Sequence, residues 1–241
     1  MPDHISRKDL KKDEFRDTIA HGAEAVLTHQ KLTIYIAVAV AVALGAYFGV
    51  RLYNERQTVK AAAAYDDAMK TFNAHVRTSG EPVEQGEPTY ADDNSKFQDA
   101  AKKFEAVAHE YPHTRPGEIS AYYAGLSLEH SKKNSEAATW FDQVTHSGED
   151  DFASLARLEL AQLNDEMNKP ADAEKIYKDL VAHPTVFVSK PVALLGLANH
   201  YRGVRNNSEA IKTYGEIKSE FPDSPIAQEA TQDMAMLSGQ S

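Results

Sequence analysis

One pattern of side chains recurs four times at a nearly fixed spacing, and it constrains the fold more than any other feature of the chain. A small residue is followed four positions later by an aromatic residue and three positions after that by an aliphatic one. The four sets are Ala100, Phe104 and Val107; Ala137, Phe141 and Val144; Ala173, Tyr177 and Leu180; and Ala210, Tyr214 and Ile217. The alanines lie 37, 36 and 37 residues apart. A period of this length predicts stacked helical hairpins instead of one closed core.

Each member of the pattern has a physical role in a stacked hairpin. The alanine lets two helices approach closely, and the aromatic residue one turn later lies on the same helical face and fills the space between hairpins. Three of the four sets are followed by a proline, which ends the second helix, at Pro112, Pro184 and Pro222. In the remaining repeat Glu149 stands where the proline is expected.

The pattern and the turn residues between the sets predict the bounds of the helices. The first set lies on a helix from about Asp92 to Glu110. Three hairpins follow, at about Pro116–Thr145, Phe152–Ala182 and Pro191–Phe221, and a closing helix runs over Pro225–Leu237. We therefore predict an all-α solenoid with a C-terminal capping helix, because the end of a repeat array needs a polar outer face.

An apolar segment precedes the repeats. Leu32 to Val50 is 19 residues without a charge, between Lys31 and Arg51. At 1.5 Å per residue this segment matches a hydrocarbon core of ~30 Å, which predicts a transmembrane helix. A cleaved signal peptide is the competing interpretation, but its apolar region is usually shorter, about 7–15 residues. A buried helix of a soluble protein fits less well, because the segment is apolar on all sides.

This segment divides the chain into four regions. Residues 1–31 form a tail, residues 32–50 the span, residues 51–91 an exit helix with a flexible loop at Gly80–Thr89, and residues 92–241 the repeat domain. Within the tail, Ser6–Gln30 has the pattern of an amphipathic helix with Leu10, Phe15, Ile19, Val26 and Leu27 near one face. It either contacts the membrane surface or a partner, or is a solvated lead-in to the span.

Composition and charge exclude several classes of protein. The chain has no cysteine, so disulfides, thiolate catalysis and cysteine-based zinc sites are excluded. The tail is neutral, with six basic and six acidic residues, whereas 20 basic and 30 acidic residues follow Lys31. An acidic domain repels nucleic acid. The tail has six basic residues and the stretch of equal length after the span has five, so charge favours a cytoplasmic N-terminus only slightly.

One stretch imitates a catalytic motif. His109-Glu110-Tyr111-Pro112-His113 fits the zinc-protease string H-E-x-x-H, which requires both histidines on one continuous helix. Pro112 lies between the two histidines, and it is the proline that ends the helix of the first set. The chain also has no glycine-rich phosphate loop and no Gly-x-Ser-x-Gly. We predict a protein that is not an enzyme and that holds no metal and no cofactor; a hydrolase using this string is kept only as a control hypothesis.

The repeats resemble a known family. Gly125, Ala161 and Ala198 each lie 12 residues before the alanine of their repeat, where tetratricopeptide repeats have a small residue at the crossing of the two helices. Tyr201 matches the aromatic residue of the first helix in that family. The resemblance covers about residues 92–238 and implies a protein that binds proteins or peptides.

The complete layout resembles a narrower group. A polar tail, one span, a long exit helix and repeats look like the ancillary TPR subunit of the bacterial Sec translocon (YfgM-type), and the run Leu155–Gln162 is similar to a stretch of that group. The resemblance implies an inner-membrane protein with a cytoplasmic N-terminus and periplasmic repeats, which contacts the Sec translocon and periplasmic chaperones. The alternative is a scaffold for envelope assembly, whose repeats mediate oligomerisation.

In the family that the repeats resemble, set positions of each first helix line a groove. Carried over to this chain, the apolar positions are Ile119, Tyr122, Leu126, Leu155, Leu158, Val192 and Leu195, and the polar positions are Glu129, Gln162, Asp165, Glu166, Asn199 and Arg202. An apolar floor with an acidic end suits a peptide of basic character. We expect Leu158 to face the groove and not the hairpin core. The alternative is that the Gly80–Thr89 loop or the C-terminal helix covers the floor.

Overall fold

The computed structural model describes residues 30–77, 89–146 and 150–238. The chain divides into two compact units, Met1–Arg56 and Gln57–Ser241. The described part of the first unit belongs to α1, which runs over Gln30–Phe72. Among the described residues, one helix is long and apolar enough to cross a membrane, and it is this one, with the apolar window unburied. Its apolar side chains, such as those of Val42 and Phe48, are exposed.

The second unit consists of helical hairpins and one small strand pair. The end of α1 is followed by β1 (His75–Val76) and β2 (Thr89–Tyr90), which pair in parallel with His75 opposite Thr89. The helices that follow are α2 (Asp93–Glu110), α3 (Arg115–His130), α4 (Asn134–Thr145), α5 (Asp150–Glu166), α6 (Pro170–Ala182), α7 (Lys190–Gly203), α8 (Asn207–Glu220) and α9 (Pro225–Ser238). The predicted all-helical repeat architecture is confirmed, with helix ends within about two residues of those expected from the sequence.

The repeated residues form the core of the hairpins. The four alanines of the pattern are fully buried, and the aromatic residues Phe104, Phe141, Tyr177 and Tyr214 are each at most 3% exposed. The small residue of the first helix is a requirement of this packing. A Cβ atom at Gly125 would lie 2.7 Å from Cε1 of Phe141, so the glycine permits the ring to lie directly on the helix backbone.

The same turn closes three hairpins. Lys132, Asn168 and Arg205 adopt a left-handed backbone conformation, with φ of 64°, 57° and 61°. In the first of these turns the Lys133 N–H donates to the Leu128 carbonyl at 2.9 Å, and the Lys132 N–H donates to the Glu129 carbonyl at 2.8 Å. This pair of hydrogen bonds is the Schellman ending of a helix, which usually has glycine at the left-handed position. In this chain that position is occupied by Lys132, Asn168 and Arg205 instead of glycine.

The helices of the second unit form two layers. The first helices of successive hairpins, α3, α5, α7 and α9, contact one another from repeat to repeat. The second helices α4, α6 and α8 make their main contacts with the helices next to them in the chain. The first helices therefore form a continuous layer, and its open face is the surface on which the predicted groove residues must be sought.

The C-terminal helix packs against the last hairpin. Ala227, Ala230 and Leu237 of α9 join the core cluster that includes Tyr214 and Leu197. The helix packs against α7 and α8. It therefore packs on the last hairpin and does not lie over the first helices α3 and α5.

Candidate protein-binding surface

The first helices carry the apolar residues predicted for the groove. Six of the seven are partly buried, namely Ile119, Leu126, Leu155, Leu158, Val192 and Leu195. The seventh, Tyr122, is only 7% exposed. Partial burial is the expected state of side chains that lie between neighbouring helices of one layer and still face outward.

Leu158 is packed more tightly than the sequence suggested. Its side chain contacts the core cluster that contains Tyr177 and also the cluster of Leu180, Val188 and Ala193. Its Cδ1 atom lies 3.6 Å from the position that a Cβ of Gly196 would take. The expectation that Leu158 faces away from the core is wrong, because the first helices contact each other and bury one side of this residue.

A row of aromatic rings crosses the layer near the beginning of α5. The ring of Tyr122 lies 5.8 Å from the ring of Phe152, which lies 5.9 Å from the ring of Phe187 in the segment between α6 and α7. The sequence analysis missed Phe152 and Phe187. Phe152 precedes Leu155 by three residues and so shares its helical face, which is a usable signal. Phe187 lies outside the helices, and no periodicity identifies it.

Carboxylates gather at the other side of Tyr122. The Tyr122 hydroxyl donates to Oε1 of Glu159 at 3.3 Å. Burial raises the pKa of the Glu159 carboxyl above its usual value. Glu159 was also missed, although it follows Leu155 by four residues and therefore lies on the same face.

Glu129 is the most perturbed member of this group. Burial, together with the nearby carboxylates of Glu159 and Glu166, raises the pKa of Glu129 to about 7. Its Oε2 atom is buried and accepts no hydrogen bond from the described residues. Glu166 is exposed and accepts a hydrogen bond from Nδ2 of Asn134 at 3.0 Å. The structure thus brings the predicted Glu129 and Glu166 together with Glu159 in one acidic cluster.

The predicted polar residues on α7, and Asp165 on α5, are engaged within the fold. Nδ1 of His200 lies 2.6 Å from Oδ1 of Asp165, which joins α5 to α7. The Tyr214 hydroxyl donates to Asn199 at 2.6 Å, and Arg202 forms an ion pair with Asp233 of α9 at 2.9 Å. Asp165 and Arg202 therefore join successive repeats, and Asn199 joins the two helices of one hairpin. Gln162 is exposed.

Among three cavities that the structure describes, one is lined by predicted polar residues of the groove, and none of the three is lined by its apolar residues. A cavity of about 930 Å³ lies between α4 and α6 above α5, and its lining includes Arg157, Leu160, Lys169 and Ile176. A smaller one of about 330 Å³ is lined by Gln162, Asp165, Asn199 and residues around them. The apolar part of the candidate surface is therefore an open face, which suits a macromolecule better than a small ligand.

The stretch that imitates a zinc protease is divided by a helix end. Helix α2 stops at Glu110, Tyr111 caps it, and Pro112 and His113 lie outside the helix. The His109 ring packs 5.2 Å from the ring of Trp140. Within residues 30–77, 89–146 and 150–238, no group of three or more His, Asp or Glu side chains is arranged so that it could hold a metal ion.

Two expectations concern residues outside the described ranges. The amphipathic helix predicted for Ser6–Gln30 lies almost entirely in residues 1–29. The predicted loop begins at Gly80, and all of it except Thr89 in β2 lies outside the described residues as well.

Comparison with known proteins agrees with this geometry. A family model of a tetratricopeptide repeat-like domain matches residues 29–178. The solved TPR-like repeats of a candidate kinesin light chain from Podosopora anserina are 15% identical, with a TM-score of 0.53, over 75% of this chain and 88% of that one. A variant of the same repeats is also 15% identical and has a TM-score of 0.54, and the match covers 75% of this chain and 87% of that variant. At this identity the likeness shows the fold alone. No curated protein matches in sequence.

Proposed function

Because the chain belongs to the tetratricopeptide repeat-like domain family, whose repeats bind proteins or peptides, we propose that it is a membrane-anchored protein that binds other proteins through the open face of its first helices. The observation that carries the proposal is the surface made by Tyr122, Phe152 and Leu155 beside the acidic cluster of Glu129, Glu159 and Glu166. The side chains of Phe152 and Leu155 stay partly exposed, and the neighbouring Glu129 keeps one buried carboxylate oxygen that accepts no hydrogen bond from the described residues. Exposed apolar patches of this kind mark contact surfaces.

In this proposal, helix α1 is the membrane anchor. Val42, Leu44 and Phe48 are each at least half exposed. Exposed apolar side chains on every side of a helix are unfavourable in water and favourable in lipid. Arg51 follows the apolar segment and pairs with Glu55 at 3.1 Å, a position suited to the edge of a bilayer.

The resemblance of the layout to the ancillary subunit of the Sec translocon supports a proposal for location and partners. We infer an inner-membrane protein whose N-terminus lies in the cytoplasm and whose repeats lie in the periplasm, acting as an ancillary factor of Sec-dependent translocation or of handover to periplasmic chaperones. The support is the order of tail, span, exit helix and repeats. A reporter that is active only outside the cytoplasm, fused after Ser241, is expected to be active. An inactive reporter, with activity from a cytoplasmic reporter at the same site, would contradict this topology.

Site-specific crosslinking tests protein binding directly. A photoreactive residue replaces Leu126, which is partly exposed on α3, or Lys218, which is exposed on α8 in the other layer. Crosslinks to translocon or chaperone proteins are expected from position 126 and not from position 218. Crosslinks between copies of the chain would favour the alternative, an assembly scaffold that oligomerises through its repeats. Equal crosslinking from both positions would refute the proposed binding face.

A further inference from the structure

The segment between α6 and α7 is closed into a tight turn by its own hydrogen bonds. The Thr185 N–H donates to the Val188 carbonyl at 2.9 Å, and the Val188 N–H donates to the Thr185 side-chain oxygen at 3.1 Å. The Thr185 hydroxyl also lies 2.7 Å from the hydroxyl of Ser154 on α5. Val188 is fully buried. Both ends of the turn are therefore fixed to the domain.

Two apolar residues lie at the tip of this turn. Val186 is 88% exposed and Phe187 is 49% exposed. In a free loop such side chains could fold back onto the surface, but the fixed ends keep them outward. Held in place before binding, they would lose little conformational entropy when a partner covers them. Aromatic residues presented in this way are frequent anchors of protein interfaces.

The tip is continuous with the acidic cluster. Phe187 contacts Phe152, Phe152 contacts Tyr122, and the Tyr122 hydroxyl donates to Glu159. The apolar side chains Val186, Phe187, Phe152 and Tyr122 are here called the aromatic ledge. Tyr122, which is only 7% exposed, lies between the other ledge residues and Glu159 and joins them by these contacts. The ledge and the acidic cluster are therefore continuous, with an apolar end and a negative end.

We propose that this surface takes an amphipathic protein segment with bulky apolar residues along one side and lysine or arginine beside them. The inference rests on the proposed function and names the chemistry of the partner. The apolar residues cover the ledge, and the cation lies at Glu129, Glu159 and Glu166. The ammonium or guanidinium group pairs with the exposed carboxylate of Glu166 and adds positive charge beside Glu129, whose buried Oε2 accepts no hydrogen bond from the described residues.

Charge favours a protein segment over a lipid surface. An exposed Val-Phe tip could also enter a bilayer, but the ledge ends at three carboxylates. In addition, 30 acidic residues against 20 basic ones follow Lys31. Bacterial and other biological membranes with anionic headgroups repel such a surface. A cationic segment is attracted by the same charges.

A peptide panel tests the proposed chemistry. The full chain is placed in nanodiscs of zwitterionic lipid, and binding is followed by the fluorescence anisotropy of three labelled synthetic peptides. The first has a helical stripe of leucines flanked by lysines, the second replaces the lysines by glutamates, and the third replaces the leucines by serines. The lysine–leucine peptide is expected to bind at least about tenfold more tightly than either of the others.

Variants then assign each contribution. The double change Val186→Ser and Phe187→Ser is expected to lower the affinity for the lysine–leucine peptide by about tenfold or more. The double change Glu129→Gln and Glu166→Gln is expected to remove the preference for lysine over glutamate. Met236→Ser, at a 57% exposed residue of α9, is the matched control and leaves binding unchanged. Circular dichroism verifies that each variant is folded.

Three results would overturn the inference. The ledge variant could keep the parent affinity, or the glutamate peptide could bind as tightly as the lysine peptide. In either case crosslinking from position 126 can still succeed, so the proposed function would stand without this partner chemistry. The third concerns lipid. The chain has no cysteine, so Val186→Cys accepts a single environment-sensitive dye. A blue shift on adding anionic lipid to the nanodisc, without peptide, would assign the tip to the membrane.

Discussion

The acidic cluster should affect the stability of the fold as well as binding, and this effect should depend on pH. Its central residue, Glu129, has a pKa raised from the ordinary 4.5 to about 7 by burial and by Glu159 and Glu166. A carboxyl whose pKa is higher in the folded state favours folding when protonated. Its contribution is fully present below about pH 4.5 and is lost as the pH rises through about 7. Glutamine has nearly the shape of a protonated glutamic acid and stays uncharged at all pH values. Glu129→Gln should therefore stabilise the protein mainly at high pH.

The magnitude follows from the shift. A pKa difference of about two and a half units corresponds to about 3 kcal/mol for a fully shielded group. Glu129 is only partly buried, so solvent screening reduces this to about 1–2 kcal/mol between pH 5 and pH 8.5. For a domain of this size that corresponds to a rise in melting temperature of about 4 °C at pH 8.5 relative to pH 5.

Far-UV circular dichroism of the full chain in mild detergent measures this difference. The control is Glu216→Gln, at an exposed glutamate of α8, which should change the melting temperature equally little at both pH values. The reasoning is refuted if Glu129→Gln shifts the melting temperature by the same amount at pH 5 and pH 8.5. A confirmed difference would mean that the cluster lowers the stability of the fold, as expected of residues that serve binding.

Three further predictions concern the hairpins. Lys132→Gly and Arg205→Gly should each raise the free energy of unfolding by about 0.5–1 kcal/mol, because glycine takes the left-handed conformation without strain; urea titration that finds destabilisation would contradict this. Gly125→Ala should destabilise by about 1–3 kcal/mol through its contact with the Phe141 ring, whereas Gly203→Ala, with open space around it, should not; equal melting temperatures of the two variants would count against the argument. Phe141→Ala should lower the free energy of unfolding by about 3–5 kcal/mol and should also destabilise the neighbouring hairpins, because adjacent repeats share interfaces. A melting curve that overlays the parent's would disprove the repeat register.

The periodic pattern and the turn residues between its repeats were sufficient to predict the hairpins. Ala137 and Phe141 are buried where the pattern placed them, and α4 ends at Thr145 as expected. Such features depend on contacts between residues that are close in sequence, because each repeat folds mainly on its own helices and those next to it. The membrane span was predicted in the same way, from the length and composition of one continuous segment.

The candidate surface could be predicted only in part. Residues on one face of a first helix follow from helical spacing, which is why Leu126 and Leu155 were identified and why Phe152 and Glu159 could have been. Spacing does not say how far one first helix is buried by the next. The packing of Leu158, the His200–Asp165 contact and the Arg202–Asp233 ion pair all depend on the distance between repeats.

The outward tip at Val186 and Phe187 is the clearest case of what tertiary structure decides. Read as sequence, Thr185–Val188 is a short apolar run that could equally be buried. Its exposure results from a hydroxyl contact to Ser154 on another helix and from the burial of Val188 alone. Local sequence determines which residues can form a helix and which face they share; which side chains remain outward depends on contacts between segments distant in the chain, and these exist only after the repeats have stacked.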